Sequence, residues 1–188
     1  MAADPKKKEL TALIFRETAL PGAFIIEPEA ICDERGFFAR TFCRQEFAAH
    51  GLNCEVAQCN ISGNLCRGTL RGMHYQAEPH AEAKLVQCVR GVIYDVIIDL
   101  RPGSETCCRW VGVELSEENR RMLYVPEGFA HGFQTLRDNT VVYYQISEFY
   151  APQSARGVRW DDPAFGIEWP LSDPVISEKD RQLPDYKR

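Results

Sequence analysis

Short strand-like runs separated by turn residues fill most of this 188-residue chain, and this spacing restricts its fold more than any other feature. Most runs alternate apolar and polar residues or are rich in β-branched and aromatic residues. Only Arg44–His50, which is followed by Gly51, is predicted to be a helix. The predicted strands are Ala23–Ile26, Phe37–Phe42, Glu55–Asn60, Thr69–Gln76, Lys84–Val89, Val92–Leu100, Trp110–Leu115, Arg121–Val125, Phe129–Leu136 and Val141–Ser147. Many short strands without an internal repeat predict a closed barrel or a jelly-roll sandwich.

The C-terminal stretch differs from the rest in its proline content. Residues 151–188 contain Pro152, Pro163, Pro170, Pro174 and Pro184. Because proline cannot donate a hydrogen bond within a sheet, we expect this segment to wrap the barrel rather than join it. At 188 residues and 45% hydrophobic, the chain can bury a core without metal or disulfides. We predict a single domain over residues 1–188, with its core at about 22–150 and the wrapping segment at 151–188.

Charge and hydropathy exclude several classes of protein. The formal net charge of -5 argues against a general binder of nucleic acid or anionic membranes, and no apolar run reaches the length of a membrane span. Met1–Leu10 carries three lysines, but the apolar run that follows it is too short and too soon charged for a secretory signal. The expected location is the cytoplasm, with no nucleic-acid or membrane partner.

Eight cysteines are scattered along the chain without a CxxC pair. This pattern argues against a zinc ribbon and a thioredoxin-type site. Several cysteines lie in apolar runs, so we expect reduced, buried thiols that act as small hydrophobic residues.

Two histidines lie in stretches typical of the cupins, which are small metal-binding β-barrels. His74 lies in GTLRGMHYQ, and His131 ends PEGFAH. A metal-binding cupin needs a second histidine two residues after the first, but this chain has Gln76 there, and Lys84 stands where a carboxylate is expected. An amide is a poor ligand of transition metals, and a protonated ammonium cannot ligate one. We therefore expect no metal and no other cofactor, but a cavity with a base, a cation and aromatic residues.

Six motifs in the chain resemble those of one family of cupins. They are Asp33–Phe38, Leu70–Gln76, Pro126–Phe133, Trp160–Pro163, Ile167–Pro170 and Ser177–Asp180. Each is weak alone, but together and in this order they make the chain resemble the dTDP-4-dehydrorhamnose 3,5-epimerase family from about Gly22 to Asp180. The resemblance implies an all-β cupin jelly-roll barrel with short flanking helices and a C-terminal wrapping segment. It also implies an isomerase that acts, as a homodimer, on a nucleotide-diphosphate sugar.

The resemblance implies acid–base chemistry on a 4-keto-6-deoxysugar, whose keto group acidifies the protons on carbons 3 and 5. By similarity to the family, His74 removes such a proton, Asp180 orients the His74 ring, and Lys84 stabilises the enolate. A tyrosine then returns a proton to the opposite face. Strand alternation sends only one of Tyr143 and Tyr144 inward, so the residues alone leave this choice open. The resemblance selects Tyr144.

The resemblance also implies a set of residues that bind the substrate. Arg71 matches an arginine that binds the diphosphate, and Arg35 matches a second that reaches the nucleotide-sugar, in keeping with the geometry of guanidinium groups. Gln58 and Asn60 match residues whose amides contact the sugar. His131 is expected either to line the cavity or only to form a hydrogen bond within the barrel. The aromatic residues expected against the nucleotide base are Phe149 and Tyr150.

Three positions depart from the thymidine-specific pattern of the family. Cys59 and Ile61 replace the aspartate and the histidine of a Gln-Asp-Asn-His run, and Arg40 replaces a glutamate that accepts a hydrogen bond from thymine. Because an arginine cannot accept that bond, another nucleotide base is an alternative. An epimerase that inverts one centre and a catalytically silent cupin that binds sugar nucleotides are further alternatives. The preferred prediction is a double epimerase that converts dTDP-4-dehydro-6-deoxy-glucose to dTDP-4-dehydrorhamnose.

Overall fold

The structure is a computed structural model that describes residues 12–187, and strands dominate this part of the chain. Its strands are β1 (Leu13–Glu17), β2 (Phe24–Pro28), β3 (Ile31–Asp33), β4 (Gly36–Phe38), β5 (Gln58–Asn64), β6 (Thr69–Gln76), β7 (Lys84–Arg90), β8 (Val92–Asp99), β9 (Trp110–Ser116), β10 (Met122–Val125), β11 (Phe129–Thr135), β12 (Thr140–Ile146), β13 (Ala155–Gly157) and β14 (Val175–Ile176). The helices are α1 (Arg44–Ala49) and α2 (Glu178–Arg181).

Most of the strands form two sheets that pack face to face. The first sheet has the order β1-β2-β10-β7-β12-β5, and the second has the order β13-β6-β11-β8-β9, with β14 added to β6. Strands β3 and β4 form a separate hairpin. Within residues 12–187 no strand pairing joins the two sheets, so they do not close into a barrel. The all-β jelly roll predicted from the sequence is confirmed, in the form of an open sandwich.

Alternating residues of the strands build a core between the sheets and a second layer outside them. In β8, Ile93 and Ile97 belong to the inner core, whereas Val96 and Ile98 belong to a cluster on the outer face. All four side chains are fully buried. Strand β8 is therefore covered on both faces, which explains its nearly continuous apolar sequence.

The C-terminal segment provides the cover for the outer face of the second sheet. Val158, Phe165 and Trp169 pack there against Val96 and Ile98, as expected for a wrapping segment. The expectation that this segment would not join a sheet was wrong, because β13 pairs antiparallel with β6 and β14 pairs parallel with it. Both additions are very short, which is consistent with the high proline content around them.

Helix α1 covers the outer face of the first sheet. Phe47 is 1% exposed and packs with Ile26 and Tyr124. Glu46 of the same helix accepts hydrogen bonds from the backbone N–H of Leu13 at 2.8 Å and from Arg40 Nη1 at 2.7 Å. These contacts attach α1 to strand β1 and to the segment after β4.

Some predicted boundaries differ from the observed ones. Strand β1 was not predicted, the strand predicted at Phe37–Phe42 is limited to β4, and the strand predicted at Glu55–Asn60 is displaced to β5. The expectation of buried thiols was wrong for most cysteines: all eight are free, but only Cys88 is buried. The predicted lack of a secretory signal concerns Met1–Leu10, which lies outside the described residues. No helix among residues 12–187 has the length and apolar character needed to cross a bilayer.

Candidate active site

A cavity of about 570 Å³ opens between the two sheets. Strands β7 and β12 contribute side chains from the first sheet, β6 and β11 contribute from the second, and the region of α2 adds more. Six of the residues singled out in the sequence line this cavity together: Arg71, His74, Lys84, His131, Tyr144 and Asp180. Residues far apart in the chain thus meet around a space large enough for a small-molecule ligand.

His74 and Asp180 form a hydrogen-bonded pair at one wall of the cavity. His74 Nε2 lies 2.7 Å from Asp180 Oδ1. Because an ionised carboxylate can only accept, Nε2 carries the ring hydrogen, and Nδ1 keeps the lone pair that a base needs. The His74 side chain is 43% exposed, whereas that of Asp180 is 8% exposed. The ring is therefore accessible from the cavity and is backed by a buried carboxylate.

The short helix α2 and the backbone of β6 hold Asp180 in its ionised form. Ser177 caps the helix by accepting a hydrogen bond from the backbone N–H of Asp180 at 3.1 Å, and the N–H of Gly72 donates to Asp180 Oδ2 at 3.4 Å. Burial tends to raise the pKa of the Asp180 carboxyl, but the hydrogen bond from His74, the charge that His74 carries when protonated, and the Gly72 N–H hold this pKa below its usual value. Asp180 is thus negatively charged at neutral pH.

Lys84 forms a buried ion pair beside the cavity. Its Nζ lies 3.0 Å from Glu82 Oε1, and each of the two side chains is 9% exposed. Nζ also donates to the backbone carbonyl of His74 at 3.4 Å, so the side chain reaches from β7 in the first sheet to β6 in the second. Sequence reasoning missed Glu82. The available signal was its position two residues before Lys84, which places both side chains on one face of an extended chain.

The register of β12 directs Tyr144 towards the cavity and Tyr143 away from it. Tyr144 lines the cavity and packs against the inner core, whereas Tyr143 is absent from the lining. Across the sheet, Tyr144 pairs with Val86 on one side and with Asn60 on the other. Burial raises the pKa of the Tyr144 phenol above its usual value, the negative charge of Glu82 raises it further, and Arg71 opposes both effects. Tyr144 is therefore protonated at neutral pH.

His131 and Asp95 form a second hydrogen-bonded pair, which is more deeply buried than the first. His131 Nε2 lies 2.8 Å from Asp95 Oδ1, and the side chains are 10% and 0% exposed. His131 pairs with His74 across β11 and β6 and also lines the cavity, so both placements considered for it occur together. Sequence reasoning missed Asp95. Its signal was a lone carboxylate between Ile93 and Ile97, on the inward face of an apolar strand.

Two glycines allow β6 and β11 to approach closely beside the paired histidines. The register of the two strands shifts between His131 and Phe133, which marks a bulge. A Cβ on Gly72 would lie 2.5 Å from the Gly132 Cα, and a Cβ on Gly132 would lie 2.8 Å from the carbonyl oxygen of Arg71. Only glycine fits at these two positions, and the glycines of the two motifs thus allow the bulge that lies next to the site.

Positive charge lies along one part of the cavity lining. Arg71 Nε donates to Asn64 Oδ1 at 2.8 Å, while the rest of this exposed side chain is directed at the cavity. Ser177 and Lys179 line the same cavity. A guanidinium, an ammonium and a hydroxyl are suited to phosphate oxygens. Lys179 was not singled out in the sequence, where it lies in a mixed-charge run.

Five predicted binding residues do not line the cavity: Arg35, Gln58, Asn60, Phe149 and Tyr150. Arg35 lies at the turn of the exposed β3–β4 hairpin, where its Nε donates to Asp33 Oδ2 at 3.1 Å. Gln58 Oε1 accepts a hydrogen bond from the backbone N–H of Tyr150 at 2.8 Å. Phe149 and Tyr150 are exposed. Of the three departures from the thymidine-specific pattern, only Ile61 lines the cavity.

Gln76, at the position of a metal ligand in other cupins, uses its amide to connect loops. Its Oε1 accepts from the backbone N–H of Ala151 at 2.6 Å, and its Nε2 donates to the carbonyls of His80 at 3.0 Å and Phe149 at 3.2 Å. Among residues 12–187, no group of three or more histidine, cysteine, aspartate or glutamate side chains is arranged to hold a metal ion.

The open jelly roll encloses a histidine–carboxylate pair, an ammonium and a phenol, and these groups define a site for acid–base catalysis. The family model for dTDP-4-dehydrorhamnose 3,5-epimerase matches residues 17–188. A relative with that name from Methanothermobacter thermautotrophicus is 50% identical over 170 residues, which cover 89% of this chain and 91% of the relative. The chain belongs to the dTDP-4-dehydrorhamnose 3,5-epimerase family, and the predicted isomerase is confirmed.

Solved structures of similar proteins agree with this assignment. The dTDP-4-dehydrorhamnose 3,5-epimerase of Bacillus anthracis, crystallised with TDP and PPi, has a TM-score of 0.90 and 42% identity, with 93% of this chain and 100% of that chain covered. A 3'-monoepimerase of Streptomyces bikiniensis in complex with dTDP-quinovose has a TM-score of 0.84 and 35% identity, with 89% and 85% covered. One fold thus serves both double and single epimerases.

Proposed function

We propose that this chain inverts carbons 3 and 5 of dTDP-4-dehydro-6-deoxy-glucose and so forms dTDP-4-dehydrorhamnose. The observation that carries the proposal is the shared cavity, in which a histidine from one sheet and a phenol from the other line the same space. Epimerisation requires removal of a proton from one face of a carbon and its return to the opposite face. A base and an acid on separate walls meet this requirement.

The proposed reaction uses four of the lining residues. Nδ1 of His74 takes the proton from carbon 3 or 5, Asp180 keeps the ring in the required tautomer, and the electron pair of the broken C–H bond moves onto the 4-keto oxygen. Lys84 stabilises the enolate oxygen by its charge. The Tyr144 hydroxyl then protonates the carbon from the other face, and exchange with water restores both residues. No net oxidation or reduction occurs.

The proposed substrate contacts extend from the cavity to the surface. Arg71 and Lys179 bind the diphosphate, and His131 contacts the sugar. The other proposed contacts are Arg35, Gln58, Asn60, Phe149 and Tyr150.

We include a homodimer in the proposal, because the β3–β4 hairpin exposes Phe37 and Phe38 by 56% and 64%, and apolar surface of this kind is suited to a partner subunit. Sedimentation of the purified protein tests this part: a monomer at micromolar concentration contradicts it.

Turnover in heavy water tests the proposed function. Incubation with dTDP-4-dehydro-6-deoxy-glucose is expected to place deuterium at both carbon 3 and carbon 5, as followed by NMR, because the Tyr144 hydroxyl exchanges with solvent. Uptake at one carbon only supports a single-centre epimerase, which the similarity to a 3'-monoepimerase makes a second candidate. Absence of uptake with any 4-keto sugar nucleotide contradicts catalysis and supports a binding protein.

Two substitutions test the proposed roles of base and acid. His74→Ala and Tyr144→Phe are each expected to reduce kcat by about a hundred- to ten-thousandfold, while the affinity for dTDP is retained. Tyr143→Phe is the matched control, because Tyr143 is the adjacent residue and does not line the cavity. Near-normal turnover in either of the first two variants contradicts the role proposed for that residue.

A binding screen tests the identity of the nucleotide. Arg40 forms an ion pair with Glu46 of α1 at 2.7 Å, and Ile61 at the cavity lining is 72% exposed. Neither side chain can accept a hydrogen bond from thymine. We propose dTDP as the preferred ligand on the strength of family membership. Titration calorimetry with the diphosphates of thymidine, uridine, cytidine, adenosine and guanosine decides this, and tighter binding of any of the last four contradicts the proposal.

A further inference from the structure

Glu82 presents an electrostatic problem for the proposed reaction. Lys84 is to stabilise the negative charge of an enolate, yet its ammonium already lies 3.0 Å from the Glu82 carboxylate, and both side chains are 9% exposed. A carboxylate in this place cancels much of the field that Lys84 exerts on the cavity. Desolvation of both charges is costly as well. Glu82 therefore weakens the field of Lys84 and adds a desolvation penalty.

The strand register places Lys84, one partner of the ion pair, next to Tyr144. Lys84 pairs with Ile146, and Val86 pairs with Tyr144, in the antiparallel ladder of β7 and β12. Lys84 and Tyr144 are therefore diagonal neighbours on the inner face of the first sheet, within reach of long and aromatic side chains. Glu82 precedes β7 by two residues. Its negative charge raises the pKa of Tyr144, next in effect to burial itself.

We propose that Glu82 is a positioning residue of this site, whose carboxylate holds the Lys84 ammonium at the cavity wall and keeps a fixed negative charge beside the Tyr144 hydroxyl. The inference rests on the proposed function for its catalytic meaning. A proton donor must carry its proton, and a negative charge nearby extends to higher pH the range in which the phenol is protonated. The ion pair thus weakens the field of Lys84 on the cavity and at the same time opposes ionisation of Tyr144.

Other charged groups also face the phenol and enter the same balance. The cavity is lined from the second sheet by Arg71, His74 and His131, with Asp95 behind His131, and from the α2 region by Lys179 and Asp180. Among these groups, only Arg71 acts noticeably on Tyr144, and it lowers the pKa of the phenol. Replacement of Glu82 by a neutral residue therefore leaves Arg71 unopposed, and it also leaves Lys84 without its counter-ion. Both changes favour the phenolate.

The ionisation of Tyr144 can be measured without any turnover. The ultraviolet titration of tyrosine in the wild-type protein, minus that in Tyr144→Phe, isolates this phenol from the other tyrosines. The same difference is taken between Glu82→Gln and Glu82→Gln/Tyr144→Phe. The amide is similar in size to the carboxylate but carries no charge, and we expect the Tyr144 titration to move to lower pH by about half a unit to one unit. The control is Glu78→Gln, the same change at an exposed position of the same loop, which is expected to leave the titration unmoved.

Rescue and activity complete the test. Glu82→Asp, which retains the charge, is expected to keep the titration closer to the wild type than Glu82→Gln does, and the alkaline limb of kcat/KM is expected to move to lower pH with the phenol. An unchanged Tyr144 titration in Glu82→Gln overturns the proposal, as does an equal shift in Glu82→Asp. A Glu82→Gln variant that does not fold also overturns the proposal, because Glu82 is then required for the stability of the fold. If the wild-type protein turns over no 4-keto sugar nucleotide, the proposed function fails, while the spectroscopic titration still decides the role of Glu82.

Discussion

Replacing Asp180 by asparagine tests the most specific electrostatic feature of the site. Asp180 is 8% exposed on its side chain and accepts a 2.7 Å hydrogen bond from His74 Nε2. Asparagine has nearly the same shape, but it is neutral, and its NH₂ group can donate to Nε2. The ring hydrogen then moves to Nδ1, the nitrogen that is proposed to take the proton from the sugar. A general base contributes about a hundred- to ten-thousandfold to the rate, and we expect kcat to fall by a factor in this range, which corresponds to about 3–5 kcal/mol.

The assay separates catalysis from binding and from folding. The values of kcat and KM are measured by NMR on dTDP-4-dehydro-6-deoxy-glucose, and the dTDP affinity by calorimetry. Asp162→Asn is the matched control: this carboxylate is 3% exposed, lies in the same C-terminal segment, and accepts from the backbone N–H groups of Ala164 at 2.8 Å and Tyr186 at 2.6 Å. It contacts no histidine in these hydrogen bonds, and we expect lower thermal stability with kcat within about threefold of the wild type.

Two results refute this reasoning. If Asp180→Asn keeps a kcat within about threefold of the wild type, the His74 tautomer does not control the rate. If the affinity for dTDP falls as far as kcat, Asp180 acts on the shape of the cavity rather than on the base.

Three further predictions concern the stability of the fold. Gly132→Ala is expected to destabilise the protein by about 1–3 kcal/mol in thermal denaturation, because its Cβ would lie 2.8 Å from a backbone carbonyl oxygen. Gly63→Ala is the control: its Cβ would meet nothing within 4 Å, and the change is expected to be nearly neutral. Burial raises the pKa of Asp99, but hydrogen bonds from Arg101, Ser104 and Thr106 outweigh burial and lower this pKa strongly. The stability due to Asp99 is therefore complete above the unfolded-state pKa of about 3.9 and is lost as the pH falls towards the folded-state pKa. The difference in the free energy of unfolding between the wild type and Asp99→Asn should therefore shrink on acidification. A difference that stays constant with pH contradicts this prediction. Gln76→Leu leaves the N–H of Ala151 and the carbonyl of Phe149 without their partner and is expected to cost about 1–3 kcal/mol, with unchanged stability as the contrary result.

Strands with a buried face were predictable, and strands without one were not. The alternation in β12 and the apolar run of β8 both predicted strands close to those observed. Strand β5 was displaced because Asn60 and Ser62, which pair with Tyr144 and Val142 on the inner face, are polar, and because Ile61, its one large apolar residue, is exposed. Where the inner face is a polar site and the outer face meets solvent, the apolar pattern of a strand disappears.

The site divides in a similar way. His74 and Asp180 are 106 positions apart, and no periodicity joins them, so only the resemblance of their two motifs brought them together before the structure. Glu82 and Asp95 escaped notice because each is the partner of a recognised residue and lies outside the motifs that carry the resemblance. Both could have been suspected from the cost of burial, since an isolated charge on an inward face requires a counter-ion or a hydrogen bond.

Burial also gives a reason, independent of any motif, for preferring His74 to His131 as the proposed base. The two histidines face each other across β6 and β11, and each is bound through Nε2 to a carboxylate. Their surroundings differ: 43% of the His74 side chain is exposed, compared with 10% of His131. A base must reach a carbon of the sugar and exchange its proton with water, and only the more open ring meets both conditions. His131, held by a fully buried carboxylate, is better suited to a fixed hydrogen bond with a ligand. The two partner carboxylates are both buried, one on a short helix and one in a core strand, so the difference between the two pairs lies in the exposure of the rings.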